Sequence, residues 1–117
     1  MLEKIGLGID IIEIDRFRKK PYESNKTFYN KIFHNSEIAH CLKRKNSAEC
    51  FAGKFAIKES VIKSIPLTID FLDIVIDYSD SKPTVSLKNS LTYSFLVTLT
   101  HEKSLAVAVV ISEKNSS

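Results

Sequence analysis

The chain has 117 residues, 44% hydrophobic and 26% charged, with 17 basic and 14 acidic side chains for a net charge of +3. That length supports one domain, residues 1–117, with a modest core, and the composition is that of a soluble globular protein. No run of eighteen apolar residues is present, so no membrane-spanning helix is expected. Met1-Leu-Glu-Lys-Ile5 does not read as a signal peptide, because an acid comes early and no long apolar run follows.

Charge is distributed unevenly. Residues 1–65 carry 13 basic and 8 acidic side chains, whereas residues 66–117 carry 4 and 6. A basic half implies an anionic partner: nucleic acid, a phosphorylated small molecule or an acidic protein. Cys41 and Cys50 are the only cysteines. Their spacing fits neither a zinc knuckle nor a redox pair, and both are expected to be reduced thiols in a cytoplasmic protein.

In chain order, Ile5 to Ile14 predicts a strand with Ile5, Leu7, Ile9 and Ile11 on one face. Gly6, Gly8 and Asp10 occupy the other face, where two glycines leave room for a close neighbour or a ligand. Asp10 itself is an acid set among isoleucines, and on this segment alone a strand-end cap for the next turn explains it well. Asp15-Arg-Phe-Arg-Lys-Lys20, ended by Pro21, predicts a short helix with four basic side chains, which on their own read as a solvated face. Thr27 to Phe33 is expected to be helical, with Phe28, Ile32 and Phe33 inward. Asn35 or Ser36 is placed to cap a further helix through Leu42. His34 and His40 lack a ligand-pair spacing and are assigned no metal. Lys43-Arg-Lys45 is a basic cluster compatible with a solubilising loop, a nucleic-acid contact or a phosphate clamp.

The longest helical signal is Phe51 to Ser64. Phe51, Phe55 and Ile62 form an apolar face, and Ala52, Gly53 and Ala56 permit close approach of another backbone. Asn46 with Glu49, or else Ser47, supplies the start, and Pro66 ends the segment. Lys54, Lys58, Glu59 and Lys63 carry its chemistry. Glu59 and Lys63 stand one turn apart, so the carboxylate and an ammonium lie together beside the apolar stripe. That spacing is common in solvated helix pairs, and it equally suits joint binding of a divalent cation and a phosphate.

Beyond residue 66 the period becomes that of strands. Leu72, Ile74, Ile76 and Tyr78 alternate against Asp73 and Asp77, Ser79 to Pro83 is a turn, and Thr84 to Leu87 returns. Tyr93 to Thr100 is the next strand, with Phe95, Val97 and Leu99 opposite Thr98 and Thr100. His101 to Ser104 turns into Leu105 to Ile111, where Ala106 and Ala108 keep one face shallow enough for a helix. The tail from Glu113 to Ser117 is polar and expected to fray. Strand, helices, then antiparallel strands make an α+β domain.

Three segments resemble the holo-acyl-carrier-protein synthase family, the small trimeric phosphopantetheinyl transferases. They are Gly6-Leu-Gly-Ile-Asp-Ile-Ile-Glu-Ile-Asp-Arg16, Phe51-Ala-Gly-Lys-Phe-Ala-Ile-Lys-Glu-Ser-Val-Ile-Lys63, and Thr98-Leu-Thr-His-Glu102 followed by Ala106 to Ile111. The resemblance implies an antiparallel sheet packed on a long central helix, active sites at trimer interfaces, and Mg²⁺-dependent transfer of 4′-phosphopantetheine from coenzyme A to a serine of apo acyl carrier protein. By position it implies Asp10 and Glu59 as metal ligands and Lys63 on the transferred phosphate. It places Lys43, Arg44, Lys82, Pro83 and His101 against coenzyme A, and Arg16, Arg18, Lys19 and Lys20 against the carrier. Lys54 stands where arginine is common in the family, and Ser81 where a glycine is usual. The competing readings are a non-catalytic basic module that binds nucleic acid or an acidic protein, and an inactive interaction domain on the same scaffold.

Overall fold

Small side chains on two strands decide how the long helix sits. The computed structural model describes residues 2–88 and 90–116. Its strands are β1 (Ile5–Glu13), β2 (Ile74–Ser79), β3 (Lys82–Leu87), β4 (Tyr93–His101) and β5 (Leu105–Lys114). Its helices are α1 (Asp15–Arg18), α2 (Lys26–Asn30), α3 (Asn35–Leu42) and α4 (Ser47–Ser64). An antiparallel sheet has the order β1-β5-β4, and β2 and β3 form a separate antiparallel hairpin. This is the α+β arrangement of antiparallel sheet and long helix expected above.

The sheet meets α4 through Gly6 and Gly8 on β1 and through Ala106 and Ala108 on β5, both alanines fully buried. A β-carbon on Gly8 would overlap the Ser60 carbonyl, and one on Gly6 the Ser64 carbonyl. Helix and sheet backbones are therefore in direct contact, as the two glycines implied. Ser60 donates a 3.2 Å hydrogen bond to the Ala108 carbonyl, and Ser112 a 2.7 Å bond to that of Ser64. Gly53, by contrast, meets the Leu99 side chain and not a backbone.

The ends of α4 follow local chemistry. The Asn46 side chain accepts from the Glu49 amide at 3.1 Å, a standard N-cap. Ile65, immediately before Pro66, is extended, since proline disfavours a helical residue before it. Around the helix, Phe17, Tyr29, Phe33, Phe51 and Phe55 pack as one aromatic cluster, with Tyr29 and Phe51 ring centres 4.7 Å apart.

Several expectations are corrected. The helix expected over 27–33 stops at Asn30, and Tyr29, not Phe28, is its most buried residue. Helix α3 is capped at His34, whose amide donates to Glu37 at 2.8 Å. Leu72 lies in a 3-10 turn before β2. The polar tail remains in the sheet to Lys114, and the Asn115 amide bonds the Thr92 carbonyl; Ser117 is outside the described residues. Cys41 and Cys50 are not separate thiols but a disulfide, because α3 and α4 turn back on each other and bring their α-carbons to 5.4 Å.

Lys54 and Lys58 are buried, so neither is a surface phosphate ligand. Lys58 pairs with buried Glu37 at 2.7 Å and donates to the Ile32 and Phe71 carbonyls. The other Glu37 oxygen accepts from the Ile76 amide at 2.8 Å. Every charge in this pair has hydrogen-bond partners, which is the condition for tolerating it in a core.

The opposite face of the sheet is apolar and uncovered. Leu7 (69%), Ile9 (56%), Ile11 (59%) and Leu96 (72%) are exposed there. No helix among the described residues is long and apolar enough to cross a membrane.

Candidate active site

Strand β1 and helix α4 run past each other with Gly8 on Ser60 and Gly6 on Ser64. That crossing brings Asp10 to the last turns of α4. Lys63 Nζ lies 2.9 Å from Asp10 Oδ1 and 3.1 Å from the Ile9 carbonyl. The second oxygen of Asp10, Oδ2, is buried with no hydrogen-bond partner. An unsatisfied buried carboxylate oxygen calls for a cation or a donor.

Glu59 is half-buried on the same side of α4. Burial raises its carboxyl above the usual range, the Asp10 charge raises it further, and Lys63 and Arg16 oppose both. The hydrogen bond to Asp10 holds the Lys63 ammonium above its ordinary value. Two carboxylates that repel each other, one with a free oxygen, make a site for a small hard cation. Mg²⁺ takes one or two carboxylates and fills the rest of its shell with water and phosphate oxygens, so these residues fit it.

Arg16 closes the same region, its guanidinium 5.0 Å above the Phe55 ring. The other basic residues after β1 diverge from it. Arg18 pairs with Asp15 at 2.8 Å and donates to the Lys103 carbonyl, Lys20 lies 4.2 Å from the Phe28 ring centre, and Lys19 is exposed.

A second locus is a cavity of about 790 Å³ between the start of α4, the β2–β3 turn and the end of β4. Arg44, Pro83 and His101 all line it. His101 Nε2 is 3.2 Å from Glu49 Oε1. Lys43 and Lys82 are exposed on the segments that carry Arg44 and Pro83. The turn beside it places Asp80 at φ 51° and Ser81 at φ 67°, so Ser81 holds the left-handed conformation that glycine adopts without strain. Neither Asp10, Glu59 nor Lys63 lines this cavity.

Lys54 is a residue whose burial the periodicity did not show. Its ammonium lies 3.3 Å from the Tyr78 hydroxyl and 4.6 Å from that ring's centre, under the floor of the cavity. Burial lowers its pKa from 10.5 to about 8. Its proximity to Tyr78 arises from tertiary packing and has no local sequence signal.

A family model described as the 4′-phosphopantetheinyl transferase superfamily matches residues 6–110. The chain belongs to that superfamily. Among phosphopantetheinyl transferases it is similar to the holo-[acyl-carrier-protein] synthase of Clostridium perfringens, 38% identical across 97% of this chain and 87% of that one. The synthase of Protochlamydia amoebophila is 33% identical, covering 92% and 96% of the two chains. Of solved structures, a Bacillus anthracis holo-(acyl-carrier-protein) synthase in complex with CoA (3′,5′-ADP) superposes with a TM-score of 0.79 at 31% identity, over 94% of this chain and 96% of that one. The Helicobacter pylori synthase in complex with coenzyme A gives 0.77 at 28%, over 92% and 99%. Phosphopantetheinyl transferases of this kind thus share both the sequence and the fold described above.

Proposed function

We propose that this chain transfers 4′-phosphopantetheine from coenzyme A to a serine hydroxyl of apo acyl carrier protein, releasing adenosine 3′,5′-bisphosphate. Family membership gives the reaction class. The observation that carries the site assignment is the convergence of Asp10, Glu59 and Lys63, from β1 and α4, with Asp10 Oδ2 buried and unpaired.

In this reading Asp10 and Glu59 hold Mg²⁺, which neutralises diphosphate charge and improves the nucleotide as a leaving group. Lys63, half-exposed, supplies positive charge to the transferred phosphoryl oxygens. Arg44 and His101 bind the phosphate end of the nucleotide in the cavity they line, with Pro83 on its wall and Lys43 and Lys82 adding charge. The nucleophile belongs to the carrier protein, so the chain needs no catalytic serine of its own. Arg16, Arg18, Lys19 and Lys20 each attract the acidic carrier from a different side of the segment after β1, an attraction that weakens with salt.

We read residues 1–117 as one cytoplasmic transferase domain that assembles as a homotrimer. Two observations support the assembly. The sheet face of Leu7, Ile9, Ile11 and Leu96 is apolar and exposed, a surface that association covers. Asp10, Glu59 and Lys63 also do not line the nucleotide cavity of their own chain, which supports a site completed by a neighbouring copy.

The nucleic-acid reading fares worse. Among the described residues, Arg16 and Lys20 lie over aromatic rings, Arg18 is paired, and Lys54 and Lys58 are buried, which takes five basic side chains out of a free basic stripe. The deciding experiment is incubation with coenzyme A, Mg²⁺ and apo carrier protein, read by intact mass. The carrier gains one phosphopantetheine group; an unchanged mass, where a known transferase modifies the same carrier, overturns the reading.

A further inference from the structure

The Cys41–Cys50 disulfide closes a short loop around the basic cluster. Cys41, on the last turn of α3, is fully buried. Cys50, in the first turns of α4, is half-buried and lines the same cavity as Arg44 and His101. Between the two helices run residues 43–46, carrying Lys43, Arg44 and Lys45. Cys50 is thus part of the cavity wall, and the bond anchors both ends of the segment that supplies its positive charge.

We propose that Cys41–Cys50 is a redox site, acted on by small-molecule or protein dithiols, whose oxidised form holds the basic segment in place for a phosphorylated nucleotide. This role presupposes the nucleotide-binding part of the transferase reading above.

The chemistry is thiol–disulfide exchange. A reductant thiolate attacks Sγ of Cys50, the half of the pair that lines the cavity; the S–S bond breaks and the electron pair leaves on Cys41 Sγ. The second thiol of the reductant then attacks the sulfur bound to Cys50 and releases it. The pair gains two electrons and two protons, and the reductant becomes a disulfide.

The surroundings suit this exchange. His40 Nδ1 lies 3.7 Å from Cys50 Sγ, and its ring stacks on Tyr78 at 4.5 Å. Lys54, Arg44 and Lys43 place positive charge around His40, and an attacking reductant thiolate is drawn to that charge. His40, Cys41 and Cys50 bring their ligand atoms within 4.8 Å of one another, so the two thiols start close together when a small-molecule disulfide re-forms the bond by the reverse exchange and is itself reduced to two thiols.

Reduction leaves residues 43–46 tied only by their flanking helices. Binding must then order long basic side chains that the closed form holds near the cavity, a cost that weakens affinity. The expected loss is roughly two- to tenfold, the cost of ordering one such side chain.

The test titrates adenosine 3′,5′-bisphosphate by calorimetry into the air-oxidised chain and into the chain reduced with excess dithiothreitol. Thiols are counted by alkylation and intact mass. The oxidised chain is expected to take up no alkyl group and to bind more tightly. A Cys41→Ser/Cys50→Ser double variant is expected to bind like the reduced chain and to ignore reductant. Equal affinity in both wild-type states overturns the role, as do two alkylatable thiols in the oxidised chain or a double variant that still responds to reductant. Should the variant fail to fold, the two wild-type states decide. Binding in neither state removes the nucleotide assignment as well, whereas equal and measurable binding removes the redox role alone.

Discussion

Lys63 Nζ lies 2.9 Å from Asp10 Oδ1, an ion pair joining residues 53 positions apart. It sets one oxygen of Asp10 on an ammonium and leaves Oδ2 buried and unpaired. Glu59 resists ionisation because it is partly buried, and the Asp10 charge beside it adds to that, while Lys63 and Arg16 oppose both.

Replacing Asp10 by Asn or Glu59 by Gln is expected to cut transfer by about 100-fold or more, the scale of losing metal-assisted charge stabilisation. Both variants keep the side-chain shape and relieve the repulsion between the two carboxylates; Asp10→Asn also gives up the pair with half-exposed Lys63, so any loss of thermal stability should be small. Rates come from carrier mass gain and stability from circular dichroism. Near-normal turnover of either variant in Mg²⁺ removes that residue from the metal site.

Gly8→Ala should be costly for a different reason. The new methyl meets the Ser60 carbonyl of α4, a backbone group that has no rotamer to change. The expected loss is about 3 kcal/mol, at the upper end of overpacking costs, measured by urea unfolding. Gly6→Ala, against Ser64, should behave alike. A loss of only a few tenths for either would show that helix and strand are not in backbone contact.

The Lys54 ammonium gives a pH signature. Its folded pKa, about 8, lies below its ordinary 10.5. Between those values the unfolded chain binds the proton and the folded chain does not, so this group's contribution to stability rises with pH from about 8 to 10.5. Lys54→Met should flatten that rise. Parallel wild-type and variant slopes in urea titrations across the window would show that Lys54 carries no such linkage.

For docking, Arg16→Glu should raise the KM for carrier protein more than the KM for coenzyme A. Steady-state kinetics with each substrate varied makes the distinction. Equal effects would locate Arg16 in general site integrity, through its place above Phe55 and near Glu59.

Ile9→Glu together with Leu96→Glu should convert an assembled protein into monomers in analytical ultracentrifugation and abolish transfer. Both side chains are exposed on the sheet face opposite α4. An unchanged sedimentation coefficient would place the interface elsewhere.

Much of this was legible residue by residue. The α4 limits follow from Asn46 and Pro66, chemistry local to a few residues. The strand pattern of residues 93–111 reads directly because alternation in sequence is alternation of faces. The paired roles of Asp10, Glu59 and Lys63 came from resemblance, since charges on a strand and on a helix carry no local sign that they meet.

What the sequence alone determined is the set of elements, their order, and the small residues that let α4 lie on the sheet. Only the tertiary structure decided which charges are inside: Lys58 is buried because Glu37 reaches it from α3, and Lys54 because Tyr78 covers it from β2. It alone joined Cys41 to Cys50, and it alone turned the isoleucine face of β1 outward. The reason is physical. Periodicity reports which residues share a face, but the free energy of burying a charge or pairing two sulfurs depends on partners that the chain brings close only when it folds.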